Sequence, residues 1–147
     1  MAGHDKHEGK AHVRVWDSSN LNTLKIIGLN AEFQVSICCL AFSKADNGQQ
    51  LAVIDDGGEK WISIWNWQNG QKLANTKCYS DLVFSCEFSP FEKSSLVTCG
   101  KQHVFFWSLD NALTKKMGLF ESSSQAAFSF RLEKPKYILS SNIYSFK

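Results

Sequence analysis

The chain has 147 residues, a formal net charge of +2, 44% hydrophobic residues and 20% charged residues. These values are typical of one soluble globular domain and exclude wholesale disorder. No apolar run reaches the roughly 18 residues that a membrane-spanning helix needs, and the first ten residues are too polar for a secretory signal. We therefore expect an intracellular protein with no membrane partner.

The chain opens with a polar segment, which we expect to be a leader over residues 1–11. Two histidines, His4 and His7, lie in this segment, and His12 follows it directly. A zinc site of the H-E-x-x-H type needs two histidines four residues apart, because both rings then lie on one helical face. His7 and His12 are five residues apart, about 140° around a helix, and Gly9 weakens any helix there. We expect no metal and no cofactor.

Three later segments share a pattern that ends on a tryptophan. They are HVRVWDS at Trp16, WISIWNW at Trp65 and HVFFWSL at Trp107, with spacings of 49 and 42 residues. Upstream of the second and third segments, Phe42 and Phe88 each precede a serine and lie 46 residues apart. This recurrence indicates an internal structural repeat.

Each repeat is rich in β-branched and aromatic residues between turn signals, which predicts short strands and almost no helix. The turn signals include Asn47-Gly48, Gly57-Gly58, Asn69-Gly70 and Pro90. We expect strands over residues 35–43, 50–55, 60–67 and 71–77 in the first complete unit, and over 82–89, 95–99, 103–109 and 113–119 in the second.

The third strand of each unit is apolar on both faces at its end. One face carries two apolar residues per unit, and the repeated tryptophan lies on the other face. The paired residues are Val13 and Val15, Ile62 and Ile64, and Val104 and Phe106. Such a strand needs cover on both sides, which a sheet between two similar sheets provides, as in a β-propeller.

The period, the strand number and the Trp16-Asp17 pair resemble WD40 repeats. The other pairs, Trp65-Asn66 and Trp107-Ser108, are degenerate, and no Gly-His dipeptide opens a repeat. The Asp-His-Ser-Trp hydrogen-bonded network of such repeats therefore cannot be assigned, and we expect blades that depend mainly on apolar packing. The predicted fold is all-β, an incomplete WD40-type β-propeller of about two and a half four-stranded antiparallel blades.

The predicted propeller segment covers residues 12–120 and divides into a half blade and two blades. The half blade covers 12–29, and the blades cover 35–77 and 82–119. A divergent tail over 121–147 follows, with room for one further strand. Because closed propellers need about four to eight blades, sheet faces and edges stay uncovered. We expect the isolated polypeptide to be marginally stable or self-associating.

Four strings, HVRVWDS, FSKADNGQQLAVIDD, ISIWNWQ and CGKQHVFFW, together resemble the echinoderm microtubule-associated protein-like (EMAP-like) family. The resemblance implies part of an atypical tandem propeller that contacts tubulin, in proteins of microtubules and the mitotic spindle. It therefore implies a non-catalytic module that binds tubulin or microtubules, in the cytoplasm on the microtubule cytoskeleton. The alternative is a generic WD-repeat adaptor for another protein complex. The family's N-terminal coiled coil and basic region, to which microtubule attachment is largely ascribed, have no counterpart in this sequence.

The sequence offers little that favours catalysis. Asp55 and Asp56 form a carboxylate pair beside Gly57, but adjacent side chains on an extended chain diverge and do not converge on a substrate. Neither a nucleophile motif nor a phosphate-binding glycine-rich loop is present. We expect that the protein is not an enzyme.

The cysteines are odd in number and include no C-x-x-C spacing, so neither a zinc site nor a redox pair is indicated. Most lie in apolar runs, which would raise a thiol pKa, and we expect buried, unreactive thiols. The five are Cys38, Cys39, Cys78, Cys86 and Cys99.

Positive charge is concentrated towards the C-terminus. From Asn111 onward six cations face two anions, which leaves +4 there and about −2 in the rest of the chain. A basic end favours an acidic partner, such as a polyanionic protein surface, while the total charge is too small to indicate nucleic acid. Contact residues stay unassigned. The candidates are the turn from Asp55 to Lys60 and the lysines near Lys115.

Overall fold

The computed structural model describes residues 2–7 and 10–118, and every regular element in them is a β-strand. Within that part, no helix is long and apolar enough to cross a membrane. The tail over 121–147 lies outside the described residues. The strands are β1 (Ala2–His7), β2 (Lys10–Trp16), β3 (Thr23–Ile27), β4 (Ile37–Phe42), β5 (Gln50–Asp55), β6 (Trp61–Asn66), β7 (Gln71–Lys77), β8 (Val83–Phe88), β9 (Ser95–Gly100), β10 (His103–Leu109) and β11 (Leu113–Met117).

The strands form three antiparallel sheets, and within each sheet every strand is hydrogen-bonded to the strand that follows it in the sequence. The first sheet contains β1 to β3, the second β4 to β7 and the third β8 to β11. The predicted bounds of β5, β7 and β10 agree with the structure, and those of the other strands in these two sheets differ by one or two residues. The all-β fold predicted from the sequence is confirmed.

The N-terminus differs from its prediction. Residues 1–11 do not form a leader, because β1 occupies Ala2–His7 and β2 begins at Lys10. β1 pairs antiparallel with β2 over its whole length, so the first unit has three strands where the predicted half blade over 12–29 has two. The segment Ala2–His7 has one small apolar residue, Ala2, and four consecutive polar or charged residues after Gly3, so the alternation that marks a half-buried strand is absent from its sequence.

Two apolar layers hold the three sheets in a stack. Between the first and second sheets, Val13 and Val15 belong to the same buried cluster as Trp65. Between the second and third sheets, Ile62 and Ile64 belong to the same cluster as Trp107. The predicted faces of β2 and β6 are therefore confirmed. Each fully buried side chain of this size contributes about 1.5–3 kcal/mol relative to an exposed one.

The repeated tryptophans each face the preceding sheet in the stack. Trp65 is 4% exposed and Trp107 is 2% exposed, each packed against the sheet before its own. Trp16 is half-buried and lies on the face of the first sheet opposite Val13 and Val15, where the described residues provide no further sheet. The three indoles thus occupy equivalent positions in their sheets. Trp65 and Trp107 are buried by a neighbouring sheet, and Trp16 is partly exposed.

The buried indoles also form hydrogen bonds, in addition to the apolar packing that the sequence predicts. The sequence did not indicate these hydrogen bonds. Trp107 donates its Nε1–H to the Thr98 hydroxyl at 3.0 Å, and Trp65 donates to the Ser63 hydroxyl at 2.8 Å. Thr98 lies on β9 opposite Phe105, whereas Ser63 lies on β6 opposite Val53. The acceptor hydroxyl therefore comes from the neighbouring strand β9 in the third sheet and from the tryptophan's own strand β6 in the second sheet.

A β-bulge occurs at the same place in β4 and β8, the edge strands that lie beside each other in the stack. It leaves one extra residue in each strand, Cys38 and Phe84, 46 positions apart, and both side chains are exposed. The expectation that Cys38 is buried is wrong, because the bulge turns this side chain out of the layer that buries Cys39.

Candidate functional site

The two segments singled out from the sequence meet at the junction of the second and third sheets. A cavity of about 220 Å³ lies there, bordered by residues of the turn from Asp55 to Lys60 and by Lys115 of β11. We call this cavity the lysine pocket. Its lining residues are Glu59, Lys60, Lys77, Cys78, Tyr79, Ser80 and Lys115.

The chain segment that crosses from β7 to β8 forms the floor of the lysine pocket. Cys78 donates its backbone N–H to the Lys60 carbonyl at 2.8 Å, and Lys60 donates its own N–H to the Tyr79 carbonyl at 3.3 Å. Cys78 is fully buried, and the Tyr79 ring packs against His103 with centroids 4.2 Å apart. These contacts fix the crossing segment against both sheets.

Lys115 spans the junction from the outermost strand of the third sheet. It lies opposite Trp107 in the β10–β11 register, and its ammonium nitrogen is 5.6 Å from the centroid of that indole and 4.8 Å from that of Phe105. The same nitrogen donates to the backbone carbonyls of Cys78 at 2.7 Å and Lys77 at 3.3 Å. All of these partners are uncharged, so no carboxylate among the described residues neutralises Lys115.

The other two lysines of the pocket, Lys60 and Lys77, each form an ion pair with a carboxylate, and the Lys60 side chain is far less exposed than that of Lys77. Lys60, whose side chain is 9% exposed, forms an ion pair with Asp56, and the hydrogen bond from this pair raises the pKa of Lys60. Lys77 and Glu59 are 2.7 Å apart, and both side chains are more than half exposed. An exposed pair of this kind contributes about 0–1 kcal/mol, so Lys77 can exchange its partner at little cost.

The lysine pocket combines three ammonium groups with the carboxylates of Asp56 and Glu59, which pair with Lys60 and Lys77, and Asp55 also acts electrostatically on Lys60. Lys115 is therefore the ammonium group of the three that has no carboxylate partner among the described residues. Burial raises the pKa of the Cys78 thiol to about 11, so this group stays protonated and is a poor nucleophile near neutral pH. In residues 2–7 and 10–118, no group of three or more metal-ligating side chains comes together. The chemistry that the pocket supports is the binding of an anion.

The junction of the first and second sheets contains a related arrangement. Lys72 lies opposite Trp65 in the β6–β7 register, as Lys115 lies opposite Trp107, and its nitrogen is 4.9 Å from that indole. Lys72 forms an ion pair with Glu32, which belongs to the connection between β3 and β4. A cavity of about 180 Å³ is also present there, with Glu32 in its lining. At this junction the chain itself supplies the carboxylate.

The carboxylates of Asp55 and Asp56 diverge, as the sequence predicts. Asp55 is 3% exposed and accepts backbone N–H groups from Gln34 at 2.8 Å and Gly57 at 3.0 Å. Asp56 turns instead towards Lys60. Asp55 therefore fastens the β5–β6 turn to the connection that enters the second sheet, which is a structural role.

The chain matches the family described as the echinoderm microtubule-associated protein first beta-propeller over residues 1–143. The chain belongs to the echinoderm microtubule-associated protein family. The three stacked sheets are therefore blades of the first propeller of this family, as the sequence strings indicated.

Several relatives in this echinoderm microtubule-associated protein family come from vertebrates and an echinoderm. Echinoderm microtubule-associated protein-like 1 of Rattus norvegicus is 43% identical over 87% of this chain and 15% of its own length. Echinoderm microtubule-associated protein-like 4 of Xenopus laevis is 44% identical over 94% of the chain and 14% of its own length. The 77 kDa echinoderm microtubule-associated protein of Strongylocentrotus purpuratus is 40% identical over 95% and 19%, respectively. The chain thus spans less than a fifth of the length of each relative.

A solved structure supports the propeller fold of this family member. The β-propeller domain of Myceliophteria thermophila Cps50 (Swd1) superposes with a TM-score of 0.59 over 79% of this chain and 34% of that domain chain. The sequence identity is 14%, so this similarity concerns the fold alone.

Proposed function

We propose that this chain is a non-catalytic interaction module that binds tubulin or microtubules and contributes to organisation of the microtubule cytoskeleton in the cytoplasm. The observation that carries the proposal is the 40–44% identity to proteins named for their association with microtubules, over 87–95% of the chain. Because the chain spans a small part of each relative, the proposal concerns an activity of this segment.

The structure supports a binding role on physical grounds. A stack of antiparallel sheets is a rigid scaffold, and the turns between its strands are available for recognition of a protein surface. At the junction of the second and third sheets, the lysine pocket adds the ammonium group of Lys115, which suits an acidic protein partner.

Two binding experiments on the full 147-residue chain test the proposal. Co-sedimentation with microtubules and pull-down of unpolymerised tubulin use protein whose β-structure is first verified by far-ultraviolet circular dichroism. Saturable binding in either experiment is the expected result. Failure of folded protein in both experiments would remove the tubulin hypothesis.

Proximity labelling in cells separates tubulin from other partners. Tubulin ranks among the most strongly labelled proteins if the proposal is correct. Strong labelling of a different complex without tubulin would show a generic WD-type adaptor instead.

A further inference from the structure

We propose that the lysine pocket binds the carboxylate of a glutamate or aspartate side chain from a partner polypeptide. The inference deepens the proposed function, on which it rests for the identity of the partner, because it names the chemistry of the contact. Lys115 and Lys77 are the residues that reach the incoming carboxylate, while Lys60 borders the same cavity and stays paired with Asp56.

Lys72 and Lys115 occupy equivalent positions in the second and third sheets. Both lysines lie opposite a repeated tryptophan on the outermost strand of a sheet, and both place the ammonium group near that indole. Lys72 has a carboxylate partner in Glu32, whereas Lys115 contacts carbonyl oxygens and aromatic rings. The equivalent cation therefore has a carboxylate partner at one junction and, among residues 2–7 and 10–118, has none at the other.

The two connections between the sheets differ in length. The connection that contains Glu32 covers residues 28–36, and the one at the lysine pocket covers residues 78–82. The shorter connection contains one carboxylate, Asp81, which pairs with Lys101 at 3.6 Å. No residue of this connection takes the place of Glu32, and the cavity of about 220 Å³ lies there instead.

The lysine pocket is accessible to a carboxylate from a partner, because Lys77 at its border is largely exposed. Lys77 is 59% exposed and its pair with Glu59 is weak, so a partner can approach without the loss of a strong contact. The cavity exceeds the space of a single water many times, so a carboxylate fits. A hydrogen bond between an ammonium and a carboxylate is charge-assisted and about twice as strong as one between neutral groups.

A peptide-binding experiment tests the inference. A fluorescently labelled glutamate-rich peptide is titrated with the full chain, its anisotropy is followed, and a glutamine-rich peptide of the same length serves as the neutral probe. We expect binding of the acidic peptide alone. Lys115→Gln should weaken the affinity about tenfold, since a charge-assisted hydrogen bond is lost, and Lys77→Gln about fivefold.

Lys116→Gln is the matched control, because Lys116 neighbours Lys115 on β11, is exposed and does not line the cavity. It changes the net charge equally and should alter the affinity less than twofold. An equal loss for Lys116→Gln and Lys115→Gln would overturn the inference, because attraction would then depend on overall charge. If Lys115→Gln does not fold, Lys77→Gln decides, since that side chain is mostly exposed.

The outcomes for peptide and tubulin are separable. Folded protein that binds tubulin but not the glutamate-rich peptide would overturn the lysine-pocket inference and leave the proposed function standing. Protein that binds the peptide with the predicted variant pattern but does not bind tubulin would uphold the pocket and remove the proposed function.

Discussion

The ammonium nitrogen of Lys115 lies 2.7 Å from the carbonyl oxygen of Cys78 and so joins the outermost strand of the third sheet to the segment that leaves the second. The contact has two consequences. It fastens adjacent blades at their outer edge, where the buried apolar layer ends. It also holds a cation over Phe105 and Trp107. No carboxylate in the described part of the chain pairs with this cation, so its charge is available to a ligand.

Replacement of Thr98 tests the hydrogen bond to the buried indole of Trp107. Thr98→Val keeps the shape of the side chain but leaves the Trp107 Nε1–H without its acceptor in a site that is 2% exposed. The free energy of unfolding should fall by about 1–3 kcal/mol. Urea denaturation followed by tryptophan fluorescence measures this change. Thr114→Val, at an exposed position, should change stability by less than about 0.5 kcal/mol, and equal effects of the two substitutions would contradict the account.

Two glycine substitutions test how closely the backbone packs at the third sheet. A Cβ at Gly100 would lie 2.0 Å from the Leu82 carbonyl oxygen and 2.9 Å from the Val83 Cα, so the backbone would have to move. Gly100→Ala should destabilise the protein by at least about 1–3 kcal/mol, as overpacking does. Gly58→Ala is the control, because no atom lies within 4 Å of its added Cβ. Thermal unfolding of the two variants is compared. Similar unfolding midpoints would contradict close backbone packing between Gly100 and the Leu82–Val83 segment.

Leu21 occupies a left-handed backbone conformation, with φ of 61°, at the turn between β2 and β3. Gly70 holds the corresponding place 49 residues later, with φ of 78°. Leu21→Gly should therefore raise the free energy of unfolding by about 0.5–1 kcal/mol, because relief of strain exceeds the extra entropy of the unfolded chain. Leu24→Gly, in strand β3, should lower it. A loss of stability in both variants, by urea denaturation, would argue against strain at Leu21.

The thiols should differ in reactivity and in their effect on stability. A hydrogen bond from Cys39 lowers the pKa of the exposed Cys38, so a maleimide should label Cys38 first at pH 7.5. Burial raises the pKa of Cys78 from 9.0 to about 11. The folded state thus retains a proton that the unfolded thiol releases, and the associated stability is complete below pH 9 and is lost between pH 9 and 11.

Denaturation at pH 7.5 and pH 10.5 measures that loss. The decrease in the free energy of unfolding should be smaller in Cys78→Ala than in the parent chain, even though the substitution lowers stability at both pH values. An unchanged pH dependence in the variant would contradict the burial of this thiol. Rapid labelling of Cys78 before Cys38 would do so as well.

The sequence predicted the strands of the second and third sheets because their alternation and their turn signals are local. The register of the faces also followed, since Ile62 and Ile64 must lie opposite Trp65 on one strand. The strand Ala2–His7 was missed because its sequence does not alternate between apolar and polar residues. Exposure of Cys38 was missed because a bulge changes the alternation, and no local signal in the sequence marks it.

The candidate site could be predicted in part. The turn from Asp55 to Lys60 and the region of Lys115 were indicated by exposure and charge, but their meeting depends on how the second and third sheets stack. The connection at the lysine pocket has no counterpart to Glu32 because it is shorter than the connection between β3 and β4. The sequence does not show that this difference matters, because the equivalence of Lys72 and Lys115 is seen in the structure.

Zero-length cross-linking to tubulin tests the central claim most directly. A carbodiimide joins a lysine amine to a carboxylate in contact with it, and mass spectrometry of the full chain with tubulin identifies the residues joined. The account predicts that Lys77 and Lys115 are the principal sites linked to tubulin carboxylates. Links confined to Lys44 and Lys93, in the β4–β5 and β8–β9 turns at the opposite ends of the strands, would contradict it.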